Sequence, residues 1–510
     1  MKSPDGENIK ITVLRLTLSI FSVVFVIGTS LLIYYFSKGY RLDFSKKEIR
    51  KTGVLTVESE PSGANYYING ENLGRTPRGK TLDTGIHTVS VWKKDYREWK
   101  KDVEILEERT TPIYPFLILE NIQKTTLWES KFPIEKHWIN KYSSHFIFLT
   151  QNEEETFTLW TYRINTPLWY LTNNPIQVLT LDSNDFDLQI SPNGQLAILK
   201  TDNLYIIELQ RTNILENLIP LELPLPAESY QISWAMDNKH IMLESEENIL
   251  ALDTSDSTVL TLVDKVQGEE CVWTTDGEGF FYIVEVLHTE EEQQYIYAFK
   301  QRKLDGNSEK YVIEEAYFQK DEEFVQHYRD SENEYPEFSN SPQSTQTTGQ
   351  ITALEVNQSA KGVFIQTTTS SYWYNIETQK YRMIAPYPGE LLKLSPSLEE
   401  FFFVNGENLY TFRLKKEEDD HTRKLGLTRI DGLQKENVTG LNWLSNSSYI
   451  SYTEDEKLFI SEEDGENKQE IVSTENILLY SIKNSREYIV TLEIVDDELT
   501  PLTINQYKIK

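Results

Sequence analysis

From Trp138 onward the chain repeats one unit of strand-like segments, and the spacing of that unit limits the folds open to it more than any other feature. Leu188–Leu209, LQISPNGQLAILKTDNLYIIEL, has the same layout as Gln231–Asp253, QISWAMDNKHIMLESEENILALD. A short strand ends at an apolar or aromatic residue, a polar turn follows, and two alternating strands come next, often around a tight acidic turn. Cys271–Val286, Leu391–Leu414 and Gly440–Ile460 repeat the layout, with fainter units around Trp138, Val356 and Ser481. Aligned on the end of the short strand, the anchors are Trp138, Ile190, Trp234, Trp273, Val356, Leu394, Trp443 and Ser481. Their separations are 52, 44, 39, 83, 38, 49 and 38 residues.

A unit of about 40–50 residues with four strands makes one small sheet that cannot bury both faces alone, so successive sheets must stack radially. The spacing predicts a β-propeller over residues 112–510, with eight blades, or seven as the alternative. The gap of 83 leaves residues 319–350 over as a polar, Pro/Ser/Gln-rich insertion, expected to be exposed or disordered. The last unit, Ile477–Lys510, supplies only three strands. A segment near Lys124–Ser130 is therefore expected to pair with it as the fourth and close the ring, which removes an exposed sheet edge. The abundance of Tyr (29) and Phe (22) favours strands over helices, and the fold class expected is mainly β.

Leu16–Ser37, LTLSIFSVVFVIGTSLLIYYFS, carries no charged residue and is long enough to cross a hydrocarbon core at about 1.5 Å per residue. Tyr34, Tyr35 and Phe36 sit where an interfacial aromatic belt would lie. A cleaved signal peptide has a shorter apolar region, typically about 7–15 residues. The reading is a tail at 1–15, a transmembrane helix at 16–37 and a basic juxtamembrane linker at 38–51. Lys2, Lys10 and Arg15 precede the span, whereas Lys38, Arg41, Lys46, Lys47, Arg50 and Lys51 follow it. Taken alone, the positive-inside rule would put the large C-terminal part in the cytoplasm.

Between the span and the repeats, GVLTVESEPSGANYYINGENLGRTP alternates short strands with Pro/Gly turns, and Asn69-Gly70 is a hairpin signal. Val89 and Val91, then Trp99, Val103 and Ile105, mark two further strands, so residues 52–111 read as a small β-sandwich. The pattern of Pro61, Gly63, Ala64, Asn69, Gly70, Gly74, Thr76, Pro77, Gly85, His87 and Val89 resembles the PEGA domain, with Ser62 at its name-giving second position. That resemblance implies a non-enzymatic module on the outside of the cell, and it sets the expected localisation: single-pass membrane, with the bulk of the chain extracytoplasmic. The SPNG turn at Ser191–Gly194 and the Trp-x-x-Asp-Gly/Asn pattern at Trp234–Asn238 and Trp273–Gly277 resemble TolB-type and WD-like propellers. That second resemblance implies a binding scaffold.

Acidic residues number 80 against 50 basic, a formal charge of −30 that repels phosphate backbones, so nucleic acid is excluded as a partner. One cysteine, Cys271, allows neither an internal disulfide nor a thiolate cluster, and reads as a small buried apolar residue. No nucleophile elbow, phosphate loop or His-Glu-x-x-His helix occurs, so no catalytic residue, cofactor or metal site is expected. His87 reads as a structural strand-edge histidine. Asp182, Asp185 and Asp187 could bind calcium, but LDSNDFD lacks the glycine and glutamate of an EF-hand loop. Glu153–Glu155, Glu290–Glu292, Glu417–Asp420 and Glu462–Asp464 read as solvated turn tips. The tryptophans read as blade packing, with Trp160, Trp169 and Trp373 outside the anchor positions. The expected function is a membrane-anchored envelope scaffold whose propeller recognises a protein or glycan. The alternative is a carbohydrate-active hydrolase or lyase with carboxylates in the axial channel.

Overall fold

An N-terminal helix, a small two-sheet module and a long succession of antiparallel sheets make up the computed structural model of the chain. It describes residues 5–37, 40–43, 48–140, 144–152, 155–165, 174–214, 218–235, 238–264, 273–275, 280–289, 294–303, 309–316, 337–339, 351–357, 362–367, 370–375, 380–385, 388–395, 400–414, 426–444, 448–473, 477–483, 486–494 and 502–510. Two compact units divide with a break between Glu120 and Asn121.

In the first unit, α1 spans Asp5–Ser37. Its window Leu16–Tyr35 has a mean hydropathy of 2.4 and none of it is buried, so the helix is long and apolar enough to cross a membrane. β1 (Tyr40–Asp43) pairs antiparallel with the start of β2 (Glu48–Val57). Part of the stretch read as a linker is thus paired strand, with Tyr40–Asp43 in register against Glu48–Lys51. β3 (Asn65–Ile68), β4 (Glu71–Arg75), β5 (Arg78–Asp83), β6 (Gly85–Trp92), β7 (Trp99–Ile105) and β8 (Thr110–Ile113) complete two sheets. One runs β1-β2-β5 with β8 parallel to β2, and the other β4-β3-β6-β7.

Strand alternation sends Leu55, Tyr66, Val91, Trp99, Val103 and Ile113 into one core between these sheets, so the module is the sandwich expected from sequence. The Asn69 and Gly70 turn has φ of 51° and 83°, the left-handed backbone that an Asn-Gly hairpin supplies. At the other end of the motif, the Thr76 hydroxyl accepts the Ala64 amide at 3.1 Å and meets Ser59 Oγ at 2.5 Å, tying the two Pro turns together.

In the second unit, eight sheets follow one another among the described residues. The first is Ile134–Ile139, His145–Gln151, Phe157–Arg163 and Ile176–Leu181, and the third, fourth, sixth and seventh repeat this four-strand meander. Each of the eight anchor residues lies on the strand that opens its sheet's meander, from Trp138 on Ile134–Ile139 through Val356 on Ile351–Asn357 to Ser481 on Ile477–Ile482. The long gap hides no further four-stranded sheet among the described residues. Its strand Glu337–Ser339 instead adds a fifth, outer strand to the fifth sheet, against Lys380–Ala385.

The second sheet departs from the expected four strands, holding among the described residues only Asp187–Ile190, Leu196–Lys200 and Leu204–Glu208. Asn213 Nδ2 donates to the Glu208 carbonyl at 2.7 Å and the Leu221 amide to the Leu204 carbonyl at 2.9 Å, covering the outer edge without a ladder. Pro220, Pro224 and Pro226 explain the substitution, since each lacks the amide proton a strand needs.

Successive sheets share cores. Phe402 of the sixth stacks on Trp443 of the seventh at 4.3 Å between centroids. Ile198 of the second packs with Ile241 and Leu243 of the third. β9 (Gln123–Glu129) pairs antiparallel with Leu502–Lys508, giving the eighth sheet its fourth strand as the sequence predicts. Phe146 and Phe148 of the first sheet then pack on Val490, Leu492, Leu502 and Ile504 of the eighth. First sheet on last closes a ring, and radial four-stranded meanders closed in this way are a β-propeller.

Candidate functional site

Around the ring, short polar ties join neighbouring sheets. Trp234 Nε1 donates to the Gln189 carbonyl at 2.8 Å, and the buried Tyr480 hydroxyl donates to the Gly440 carbonyl. On the turns that follow the first strands, Asn140 Nδ2 donates to the Pro192 carbonyl at 2.7 Å. The Asn193 amide donates to Asn238 Oδ1, also at 2.7 Å. The SPNG and Trp-x-x-Asp-Asn patterns thus serve to link blade to blade. At the closing seam, Glu493 is buried and accepts from Lys124 Nζ at 2.7 Å and from the Tyr507 hydroxyl at 2.7 Å. Burial and this carboxylate both push the Tyr507 phenol well up from its ordinary value.

The turn Glu462–Asn467 gathers several carboxylates. Glu462, Asp464 and Glu466 bring three carboxylates within 4.8 Å of one another, which makes them the residues here that could supply hard oxygen ligands to a cation. Sequence reading placed Glu462–Asp464 at a solvated tip, but Glu462 is buried. Its Oε1 accepts from Asn467 Nδ2 at 2.9 Å and from the Tyr449 hydroxyl at 3.4 Å. Asp464 Oδ1 accepts the Glu466 amide at 3.0 Å, so the carboxylates also stabilise the turn. Glu463 reaches Arg413 Nη2 at 3.3 Å, and the same guanidinium pairs with Glu400, directly opposite on the neighbouring strand. With at most 7% of either side chain exposed, Arg413 and Glu400 form a buried pair that joins the sixth sheet to the seventh through Glu463.

His145 occupies a second buried corner. Its Nδ1 lies 2.9 Å from Ser144 Oγ, and Asn140 Oδ1 accepts the amides of both residues at 2.8 Å. A Cβ on Gly194 would lie 2.5 Å from His145 Nδ1, so the glycine, at φ 72°, lets the SPNG turn close over the ring. Burial, reinforced by the Arg163 guanidinium, pushes the imidazole down to about 4 from 6.5. The folded protein therefore refuses a proton that the unfolded chain accepts. Stability is flat above about pH 6.5 and falls as pH drops from there toward 4, by up to about 3 kcal/mol. Thermal melting of wild type and His145→Gln across this window is expected to show the excess slope in the wild type alone.

Other residues singled out by sequence fall into structural roles. His87 accepts or donates between Asn69 Nδ2 at 3.1 Å and the Asp83 carbonyl at 2.8 Å, bracing the module's turn as expected. Asp187 binds its neighbours, accepting from the Leu188 amide and Gln189 Nε2, and with Asp182 and Asp185 forms no carboxylate group among the described residues. Trp160 Nε1 donates to Thr150 Oγ1 at 3.0 Å, and Trp373 is buried against Phe401. Cys271, Trp169, Glu290–Glu292 and Glu417–Asp420 lie outside the described residues, as do Glu153 and Glu154.

Residues 52–117 match the PEGA domain family. The curated proteins include no match to the chain. Among solved structures, the chain is similar to an oligogalacturonate lyase from Vibrio parahaemolyticus at 8% identity and a TM-score of 0.38, over 76% of this chain and 98% of that one. Dipeptidyl peptidase 4 of Porphyromonas gingivalis matches at 11% identity and 0.43, over 74% and 58%. The WD40 domain of SCAP from fission yeast matches at 8% and 0.38, over 76% and 94%. The family match and the strand pairing described above together make this a chain with a PEGA domain followed by a β-propeller.

Proposed function

We propose that this is a membrane-anchored, extracytoplasmic scaffold in the cell envelope, with the PEGA domain as spacer or wall contact and the propeller as a platform for a protein or glycan. The working parts are an anchor at 16–37, a basic juxtamembrane stretch at 38–51, the module from 52 and an eight-bladed ring up to 510. The order of parts carries this reading: a helix apolar enough to span a bilayer ends at Ser37, and a PEGA domain begins at residue 52. A role in binding rather than catalysis is supported by the engagement of Glu400, Arg413, Glu462 and Glu493 in holding the ring together.

Limited proteolysis of intact cells, followed by capture from detergent extract on the full-length chain, tests both halves. External protease is expected to digest the propeller in intact cells, and alanine at any single His, Asp or Glu on the surface should leave capture intact. Protection of the propeller until the cells are lysed would place it on the cytoplasmic side, as the flanking charges favour. Complete loss of function from one such alanine would replace the scaffold with a catalytic reading. Within the acidic turn, Asp464→Ala is expected to change stability by less than about 1 kcal/mol in chelator-treated buffer, since its bond to the Glu466 amide is exposed.

A further inference from the structure

Between Lys38 and Lys51 stand six basic residues against two acidic ones, in a chain whose total formal charge is −30. Within this segment the structure pairs Tyr40–Asp43 of β1 with Glu48–Lys51 of β2. β1 begins three residues after α1 ends at Ser37, so Tyr40 lies at most about 10 Å along the chain from the helix end. That distance matches the headgroup layer outside a hydrocarbon core.

The register sorts the charges along the hairpin. Arg41 stands opposite Arg50 and Tyr40 opposite Lys51 at the end next to the helix, whereas Asp43 stands opposite Glu48 at the far end. Like charges directly opposite are destabilising in water. A hairpin that places its basic pair at the membrane end gains if an array of anions lies there. We propose that Arg41, Arg50 and Lys51, at the base of the β1–β2 hairpin, bind the phosphates of anionic phospholipid headgroups beside the span.

Arg50 and Lys51 also pair with Asp83 and Glu107, but these side chains are between a third and a half exposed, and such pairs contribute little. Headgroup phosphates can join or replace them. Each basic residue held at an anionic surface adds roughly a five-fold gain in affinity. The site rests on the anchoring proposed above. It also gives the positive charges after the span a role that holds for an extracytoplasmic C-terminal part.

The test uses the full-length chain in nanodiscs of phosphatidylcholine alone, or of phosphatidylcholine with phosphatidylglycerol, followed by hydrogen exchange of peptides covering residues 40–51. Exchange is expected to be at least about five-fold slower with phosphatidylglycerol, and the protection should vanish at high salt. It should also vanish in the Arg41→Gln, Arg50→Gln double variant, whose propeller peptides should exchange like those of the wild type. An intact chain in the discs with equal exchange in both lipids overturns the site alone. Protection by inorganic phosphate in phosphatidylcholine discs overturns the lipid assignment. A chain recovered from cells already cleaved between the helix and the module overturns the anchoring and the site together.

Discussion

Replacing Arg413 with methionine is expected to destabilise the propeller by about 3–5 kcal/mol, because it strands the Glu400 carboxylate in the interior without its counter-charge. The size follows from burial: an exposed pair of the same kind contributes at most about 1 kcal/mol. Adding Glu400→Leu to Arg413→Met should restore most of the loss, since two apolar side chains of similar volume need no counter-charge. Differential scanning calorimetry on the four members of this double-mutant cycle measures the coupling. Equal and additive losses from the two single changes would show that the pair is not a closed unit. A third charge modulates it: Glu463, from the turn of the seventh sheet, should add a smaller part of the coupling.

Phe148→Ala is the second large effect, again about 3–5 kcal/mol, through the cavity it opens at the closing seam. Phe148 is fully buried, and its ring lies 5.6 Å from that of Trp128 on β9, the strand that completes the eighth sheet. Loss here loosens the closure itself. Hydrogen exchange should rise in peptides covering Gln123–Glu129 and Leu502–Lys508 before the rest of the ring is affected. Uniform loosening of all eight sheets would mean that the ring unfolds as one cooperative body and that the seam has no separate identity.

Both effects depend on pairs of residues that sequence reading treated differently. Phe148 lies in an apolar run, HFIFLT, that reads directly as a buried strand. Arg413 and Glu400, in contrast, belong to no motif or run that marks either for burial. Burial of the pair arises because the meander sets the two residues face to face, 13 positions apart, and the turn of the next sheet covers them. The same holds for His145, whose neighbour Gly194 belongs to the following sheet. Local pattern reports the period of a strand, but a buried polar contact between sheets depends on partners about 50 residues away.

The chain's order of parts was legible from residue pattern alone: the uncharged apolar run, the Pro/Gly turns of the PEGA domain, the period of the anchors and the missing fourth strand at the C-terminal end. Each of these is written in local periodicity or in turn chemistry, which short segments carry by themselves. Tertiary structure decided the rest. It left the second sheet with three strands among the described residues, paired part of a presumed linker as strands and drew Glu462 and Glu400 inward. These outcomes depend on which distant segments meet, and the energy that selects them is burial shared between sheets, a property no single segment holds.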